Sequence, residues 1–360
     1  MSGLNGRITP MLQDLEALVR CESPSEDIDA CRKVISLANE IALKQLGSAA
    51  DIREVNGRPV FWWGDKNPKV VLLCHLDTVW PIGSFNPIWN IEGDVLRGPG
   101  TFDMKVGFVQ ALHALKGIKG SVALIATTDE EIGSHASRDL IKEVSKNASA
   151  VLVLEASLDG KVKTGRKGTA MYVVKAIGLA SHAGLEPENG INATVEISKL
   201  INQIIQLADS KSGTTVVPTV LQSGTTTNTV PEVATLDIDC RSFEMKQLQR
   251  IDSEIRKLQS SSAKVEVSGA INRPPLEEQN SKQLFQILNN KLKSVGKSEV
   301  LSAAVGGASD GNLAAAAGAQ VLDGLGAVGH GAHAKTEHIL KSKIESQIEM
   351  AKLLIQELCK

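Results

Sequence analysis

The sequence predicts an α/β body interrupted by a smaller α+β domain, on three observations. Short runs of aliphatic residues such as VVLLC and VALIAT carry no polar alternation, the mark of strands buried on both faces of a mostly parallel sheet flanked by helices. Helical stretches separate these runs, as βα units require. The texture changes after Gly168 and changes back near Pro274 and Pro275, as it does where one domain is inserted into another. A length of 360 residues also favours two domains over one core.

The elements follow in order. The segment through Cys21 reads as an amphipathic helix carrying Asp14 and Glu16. Strands are expected near 50–64 and over 69–74, a helix from Met104 to Lys116, a strand over 121–127, a helix near 134–146 and a strand over 149–154. Residues 169–274 then give a strand (TAMYVVKAIG), a helix from Asn192 to Leu207, strands near 214–222 and at VATLDIDCR, a helix from Glu244 to Leu258 and a strand at AKVEVSG. That β-α-β-β-α-β order is ferredoxin-like. The Thr-rich stretch 225–229 is a loop between two of its strands. From about 280 the first texture resumes, with helices at 281–294, after Ser309-Asp310-Gly311 and at 341–358, and a strand in AQVLDGLGA. The expected division is therefore 1–168 and 275–360 for the body and 169–274 for the insert, with Gly165, Gly168, Pro274 and Pro275 at the crossings.

Composition narrows the function classes. Basic and acidic residues number 39 and 41, intermixed, for a net charge of −2, which leaves no basic stripe for nucleic acid. No run approaches the roughly 18 apolar residues that span a bilayer, and the N-terminal segment lacks the apolar core and cleavage site of a secretion signal. Five scattered cysteines without a C-x-x-C pair read as reduced thiols of a cytoplasmic protein. Cys74, which ends a strand, reads as a structural thiol.

The chemistry gathers at strand ends. His75 and Asp77 follow VVLLC, Glu130 and Glu131 follow SVALIATT, and Glu155 follows VLVL. In open α/β sheets such carboxyl ends converge on the ligand-binding edge, where a buried carboxylate or imidazole needs a cation or a hydrogen-bond partner. With Asp103 in a Gly-Pro-Gly loop and His333 in a Gly-rich loop, these residues make a ligand set for two divalent metals. Each also has a plainer reading. His75 and Asp77 share a face of a strand, so Asp77 either orients a metal-ligating His75 or forms an ordinary edge pair with it. Asp103 is either a bridging ligand or an N-cap. Of the adjacent acids Glu130 and Glu131, one can bind metal and the other can serve as general base, or both lie in a solvated turn. His113 and His135 fall in or beside helices and read as structural. His330, His333 and His338 compete for the last ligand position.

The strings CHLDTVWP, RGPGTFDMK, TTDEEIGS, LEAS, GRKGTA, ASHAG, TNTVPEVATLDIDCR, GGASDGN and GAHAKTE, in this order, resemble the zinc-dependent amidohydrolase and exopeptidase family that includes glutamate carboxypeptidase, acetylornithine deacetylase, succinyl-diaminopimelate desuccinylase and aminoacylase. The resemblance implies a zinc-peptidase catalytic domain with an inserted lid and dimerisation domain, and two Zn²⁺ per chain. Mixed His and carboxylate ligands also accept Co²⁺ or Mn²⁺. It implies His75, Asp103 and Glu155 for one ion and Asp103, Glu131 and His333 for the other, with Asp103 bridging. The choice of His333 rests on AHAKTE, whose His-to-Glu spacing is similar to the family's A-H-x-x-x-E. Glu130 is then the general base, Asp77 the orienter of His75, and His182 an oxyanion donor that reaches a partner subunit. Asn228 and Arg273 are similar to groups that hold the substrate carbonyl and carboxylate, with the Arg fork suited to two oxygens. Lys161 and Arg166 also offer cations to an acidic side chain, or lie in a solvated hairpin; Arg241 reads as structural.

These readings imply a homodimeric hydrolase of an amide or peptide bond in a small substrate bearing a free carboxylate. Glu at 155 leans toward the glutamate carboxypeptidase branch. The alternatives are an N-acyl amino acid deacylase and, in another class, a non-catalytic binding protein on the same fold, which would have lost a ligand or the base.

Overall fold

The computed structural model describes residues 5–360. The chain forms two compact units, one of Met1–Gly165, Glu278–Val305 and Ser309–Lys360, the other of Arg166–Glu277 with Gly306–Ala308.

The first unit is built on a six-stranded sheet in the spatial order Asp51–Val55, Arg58–Gly64, Val122–Thr127, Val70–His75, Ala150–Val153, Val321–Leu322. The four strands from Val122–Thr127 onward pair in parallel, and the first two add an antiparallel hairpin at one edge. Val70–His75 and Val122–Thr127 are buried at every residue, which explains their unbroken apolar runs. A Val or Leu buried this fully contributes about 1.5–3 kcal/mol. Helices Val106–Leu115 and Lys341–Leu358 pack within the same core. The mixed, mostly parallel α/β fold expected from the sequence is the one observed.

Two features were not anticipated. Helix Ile28–Leu46 lies between the opening helix and the first hairpin, with Ala30, Val34, Ile35, Ala38 and Ile41 buried on one face. Asp27 caps it by accepting from the Ala30 N–H at 2.9 Å, and Gly47 ends it at φ +78°, a conformation glycine adopts at no steric cost. The second feature is a small antiparallel sheet in the order Gly329–His330, His338–Leu340, Val95–Arg97, Asn90–Glu92. Pairing His338 with Arg97 and Leu340 with Val95 brings the loop carrying His333 beside the loop carrying Asp103.

The second unit is a four-stranded antiparallel sheet in the order Thr215–Ser223, Val233–Ser242, Gly168–Ile177, Lys264–Arg273. Helices Ala193–Ile205 and Met245–Arg256 bury Ile197, Leu200, Ile204, Leu248, Ile251 and Ile255 in a core with the sheet residues Tyr172, Val174, Leu236 and Ile238. Burial alternates along Val233–Ser242, the period-two pattern of a sheet covered on one face. The other face leaves Met171, Val173 and Val217 exposed.

Candidate metal centre

His75 is the last residue of its strand, and the chain continues through Asp77. Both are almost completely buried, at 1% and 0% exposure, so neither charge can rely on water. The His75 Nδ1 lies 3.1 Å from the Asp77 carbonyl and 3.4 Å from Asp77 Oδ1. This points Nε2 away, toward Asp103 Oδ1 at 3.2 Å and Glu155 Oε1 at 3.5 Å. Asp77 accepts from Ser25 Oγ at 2.7 Å and from the backbone N–H groups of Glu130 and Glu131 at 3.3 and 3.2 Å. One carboxylate thus ties the His75 strand end to the Glu130–Ile132 turn.

Asp103 sits in the wide turn Thr101–Lys105, and no side chain caps the helix that follows at Val106. Its carboxylate faces imidazoles instead. The turn is entered at Gly100, φ +70°, where a Cβ would come within 2.6 Å of Thr78 Cγ2. Asp103 Oδ1 is the oxygen near His75, and Oδ2 is 3.4 Å from His333 Nε2. His333 Nε2 is also 2.9 Å from Glu131 Oε2. Two groups of side chains, His75-Asp103-Glu155 and Asp103-Glu131-His333, therefore each bring one ligand atom per residue within 4.8 Å of the others, and Asp103 belongs to both.

The electrostatics follow from this crowding. Burial would push the His75 imidazole down, yet its contacts with Asp103, Asp77 and Glu155 hold it well above the usual range. The carboxylates of Asp103 and Glu131 raise His333 to about 10. Burial raises Glu131, while Asp103, also buried, is held far below the carboxylate range by His333 and His75. Three carboxylates and two imidazoles crowded this way fit divalent cations. The donors are the nitrogens and oxygens that zinc, cobalt and manganese accept, and the two oxygens of Asp103 face different partners, as a bridging carboxylate's would.

His330, His338 and His113 belong to neither group. His330 pairs with Asp159 at 3.2 Å and His338 Nδ1 is 2.8 Å from the Thr336 carbonyl. His113 sits within helix Val106–Leu115, where burial pushes it down to about 4. Lys161 closes a backbone turn with Leu158. In the second unit, Arg166 is buried and donates to the carbonyls of Gly307 and Ala308 at 3.1 and 3.3 Å. Arg273 is buried at the end of its strand, and Arg241 pairs with Asp239 at 2.9 Å. His182 and Asn228 are neighbours there, since the Ala183 N–H donates to the Asn228 carbonyl at 2.9 Å. His182 Nδ1 accepts from the N–H groups of Gly184 and Leu185, each at 3.1 Å, which leaves its proton on Nε2.

One further residue entered the sequence reading only as a spacing mark. Glu337, 1% exposed, accepts from Trp80 Nε1 at 2.8 Å and from the backbone N–H groups of Gly100, Phe102 and Asp103 at 3.2, 2.9 and 3.2 Å. Burial pushes its carboxyl up to about 7 against these donors. It stands four residues after His333, so it fastens the His333 loop to the Asp103 turn. In Glu337→Gln the amide NH₂ must face N–H donors, each poorly satisfied contact costing about 1–3 kcal/mol. Divalent-metal affinity is expected to fall by about 10–100-fold, read by titration against a competing chelator. An unchanged affinity would show that the clamp does not position the site.

The sequence matches the model of peptidase family M20/M25/M40 over residues 71–357. It is 32% identical to carboxypeptidase G2 of Pseudomonas sp. (strain RS-16), over 97% of this chain and 89% of that protein. It is 24% identical to a succinyl-diaminopimelate desuccinylase of Hydrogenovibrio crunogenus (strain DSM 25203 / XCL-2), over 93% of this chain and 95% of that one. Among solved structures, aminopeptidase PepT from Bacillus cereus ATCC 10987 superposes with a TM-score of 0.80 at 19% identity, covering 98% of this chain and 99% of the other. Among the described residues no helix is long and apolar enough to cross a membrane. The match bears out the family resemblance carried by the strand-end motifs: the chain belongs to peptidase family M20/M25/M40 and is a metal-dependent peptidase or amidohydrolase.

Proposed function

We propose that the chain is a carboxypeptidase of the glutamate type, releasing an amino acid with a free carboxylate from an amide or peptide bond, with two zinc ions at the centre. The observation that carries the two-ion reading is the division of Asp103 between His75 and His333. Similarity to carboxypeptidase G2 across 97% of the chain supports the carboxypeptidase reading. Divalent ions, when bound, supply Lewis-acid polarisation of a carbonyl and bring the pKa of water down toward about 7.

The chain's residues do the rest. Glu130, beside the ligand Glu131, takes the proton of the attacking water and returns it to the departing amine. Asp77 orients His75 and holds the Glu130 turn. His182, whose Nδ1 is taken by the Gly184 and Leu185 N–H groups, donates from Nε2 to the developing oxyanion, and Asn228 and Arg273 hold the carbonyl and carboxylate of the substrate.

This use of His182 calls for a homodimer through the second unit. Strand Thr215–Ser223 is an edge strand with Val217, Val220 and Leu221 exposed, open to pairing with a second copy. His182→Ala is expected to lower kcat by about 10²–10³-fold without changing metal content. Mixing it with Glu130→Gln protein should restore activity if His182 acts on the site of a second copy, because one site in the mixed dimer then has both groups.

Deacylation of an N-acyl amino acid is the second reading, favoured by similarity to the desuccinylase over 93% of the chain. Rates on N-acylglutamates, dipeptides ending in glutamate, acylornithine and acyl-diaminopimelate separate the two. All should vanish with a strong chelator and return with Zn²⁺. Hydrolysis persisting in metal-free protein would refute both.

A further inference from the structure

The loop that carries Glu130 and Glu131 leaves its strand at Thr127 and, past the Glu130–Ile132 turn, reaches Ser134 ahead of helix Arg138–Lys146. Asp77 holds the middle of this loop through two backbone N–H groups. Its two ends meet a different carboxylate. Asp310 Oδ1 accepts from the Ser134 hydroxyl and Oδ2 from the Thr127 hydroxyl, the latter at 3.3 Å, and all three residues are buried. One side chain thus closes the loop across its base. All of these residues belong to the first unit.

The backbone at Ser134 shows that this end is held. Ser134 stands at φ +54°, directly after Gly133 at φ +96°. Glycine enters this region freely and few other residues do; a residue with a side chain stays there only where its surroundings fix it. At Ser134 the fixings are the bond to Asp310 and a backbone N–H donated to the Asp129 carbonyl at 2.7 Å. Asp310 is anchored in turn. It opens helix Asp310–Ala316, whose cap Ser309 accepts from the Gly311 N–H at 3.1 Å and donates to the buried Asp323 at 2.7 Å. Asp310 belongs to neither ligand group, so the Ser-Asp pair of GGASDGN reaches the metal centre only through the loop it grips.

We infer that Asp310 is a positioning residue for the reaction. By gripping Thr127 and Ser134 it sets where Glu130 and Glu131 stand, and so keeps the general base aligned with the ion that Glu131 helps to hold. The part concerning Glu130 rests on the hydrolase reading above; the part concerning Glu131 rests on the ligand geometry alone.

Two substitutions test the grip. Asp310→Asn keeps the volume but turns one oxygen into NH₂, so one of the two hydroxyls loses its acceptor on this residue. Ser134→Ala opens one end of the loop and leaves the other tied. Cobalt titration of the metal-free protein, followed by visible absorption, should show one ion bound as tightly as in the parent, because His75, Asp103 and Glu155 are untouched, and the other about 10–100-fold more weakly. With both sites saturated, kcat on the best-cleaved amide should fall by about 10–100-fold with KM unchanged, the pattern of a contact that counts only in the transition state. The double variant should be no worse than the worse single one, since both changes open the same grip. Both ions weakened together with a lowered thermal midpoint, as a merely structural role gives, would overturn the assignment. So would an unchanged titration, an unchanged kcat at saturating metal, or losses that add in the double variant. If the parent cleaves no amide, the hydrolase reading falls, and the cobalt titration still decides whether Asp310 holds Glu131 in place.

Discussion

Replacing Glu130 by glutamine is expected to lower kcat by roughly 10³- to 10⁴-fold, near the upper end of what one general base contributes, while the protein still binds about two divalent ions per chain, the number the two ligand groups call for. The expectation comes from the geometry of the Glu130–Ile132 turn. The backbone N–H groups of Glu130 and Glu131 are both held by Asp77, on different carboxylate oxygens, so the turn is fixed by bonds that the substitution does not touch. Glu131 faces His333 at 2.9 Å and belongs to one of the two ligand groups, whereas Glu130 belongs to neither. Glutamine keeps the shape of the side chain and removes its capacity to accept a proton. Elemental analysis of the purified variant alongside single-turnover kinetics would check both halves. Turnover within a few-fold of the parent would end the assignment of Glu130 as base, and loss of metal would move Glu130 into the ligand set.

Much of this arrangement was legible in the sequence because the sheet is so regular. Strands Val70–His75, Val122–Thr127 and Ala150–Val153 are buried at every position, so their ends are sharp and the polar residues that follow them stand out. Asp103 was harder. An acid just before a helix has the signature of an N-cap, and only the non-helical backbone of the Thr101–Lys105 turn directs it to the imidazoles instead. His333 was indistinct for a related reason. Its position depends on pairing between strands of two and three residues, Gly329–His330 and His338–Leu340, too short to carry any periodicity.

Glu337 escaped altogether as a structural element. In a sequence a lone acid in a polar loop looks solvated, and three of its four donors are backbone N–H groups, which leave no trace in residue identity. Helix Ile28–Leu46 did have a signal in the spacing of Ala30, Val34, Ile35, Ala38 and Ile41, with Asp27 as a favoured cap.

The second large effect is expected at Asp103. In Asp103→Asn one carboxylate oxygen becomes an NH₂ group, which has no lone pair to offer the ion it would face. With Oδ1 near His75 at 3.2 Å and Oδ2 near His333 at 3.4 Å, whichever side receives the NH₂ loses a ligand. That side keeps only one carboxylate and one imidazole, Glu155 with His75 or Glu131 with His333. The variant should therefore hold about one ion instead of two and lose at least ~10³-fold in kcat/KM, in keeping with the several kcal/mol that a metal contributes to a transition state. A second measurement separates lost metal from lost fold. A ligand that binds only the native state raises stability by RT ln(1 + [L]/Kd), so Zn²⁺ should raise the thermal midpoint of the parent by more than that of Asp103→Asn. Equal midpoint shifts with two ions retained would mean that Asp103 bridges nothing, and the pairing of the two ligand groups through one carboxylate would have to be abandoned.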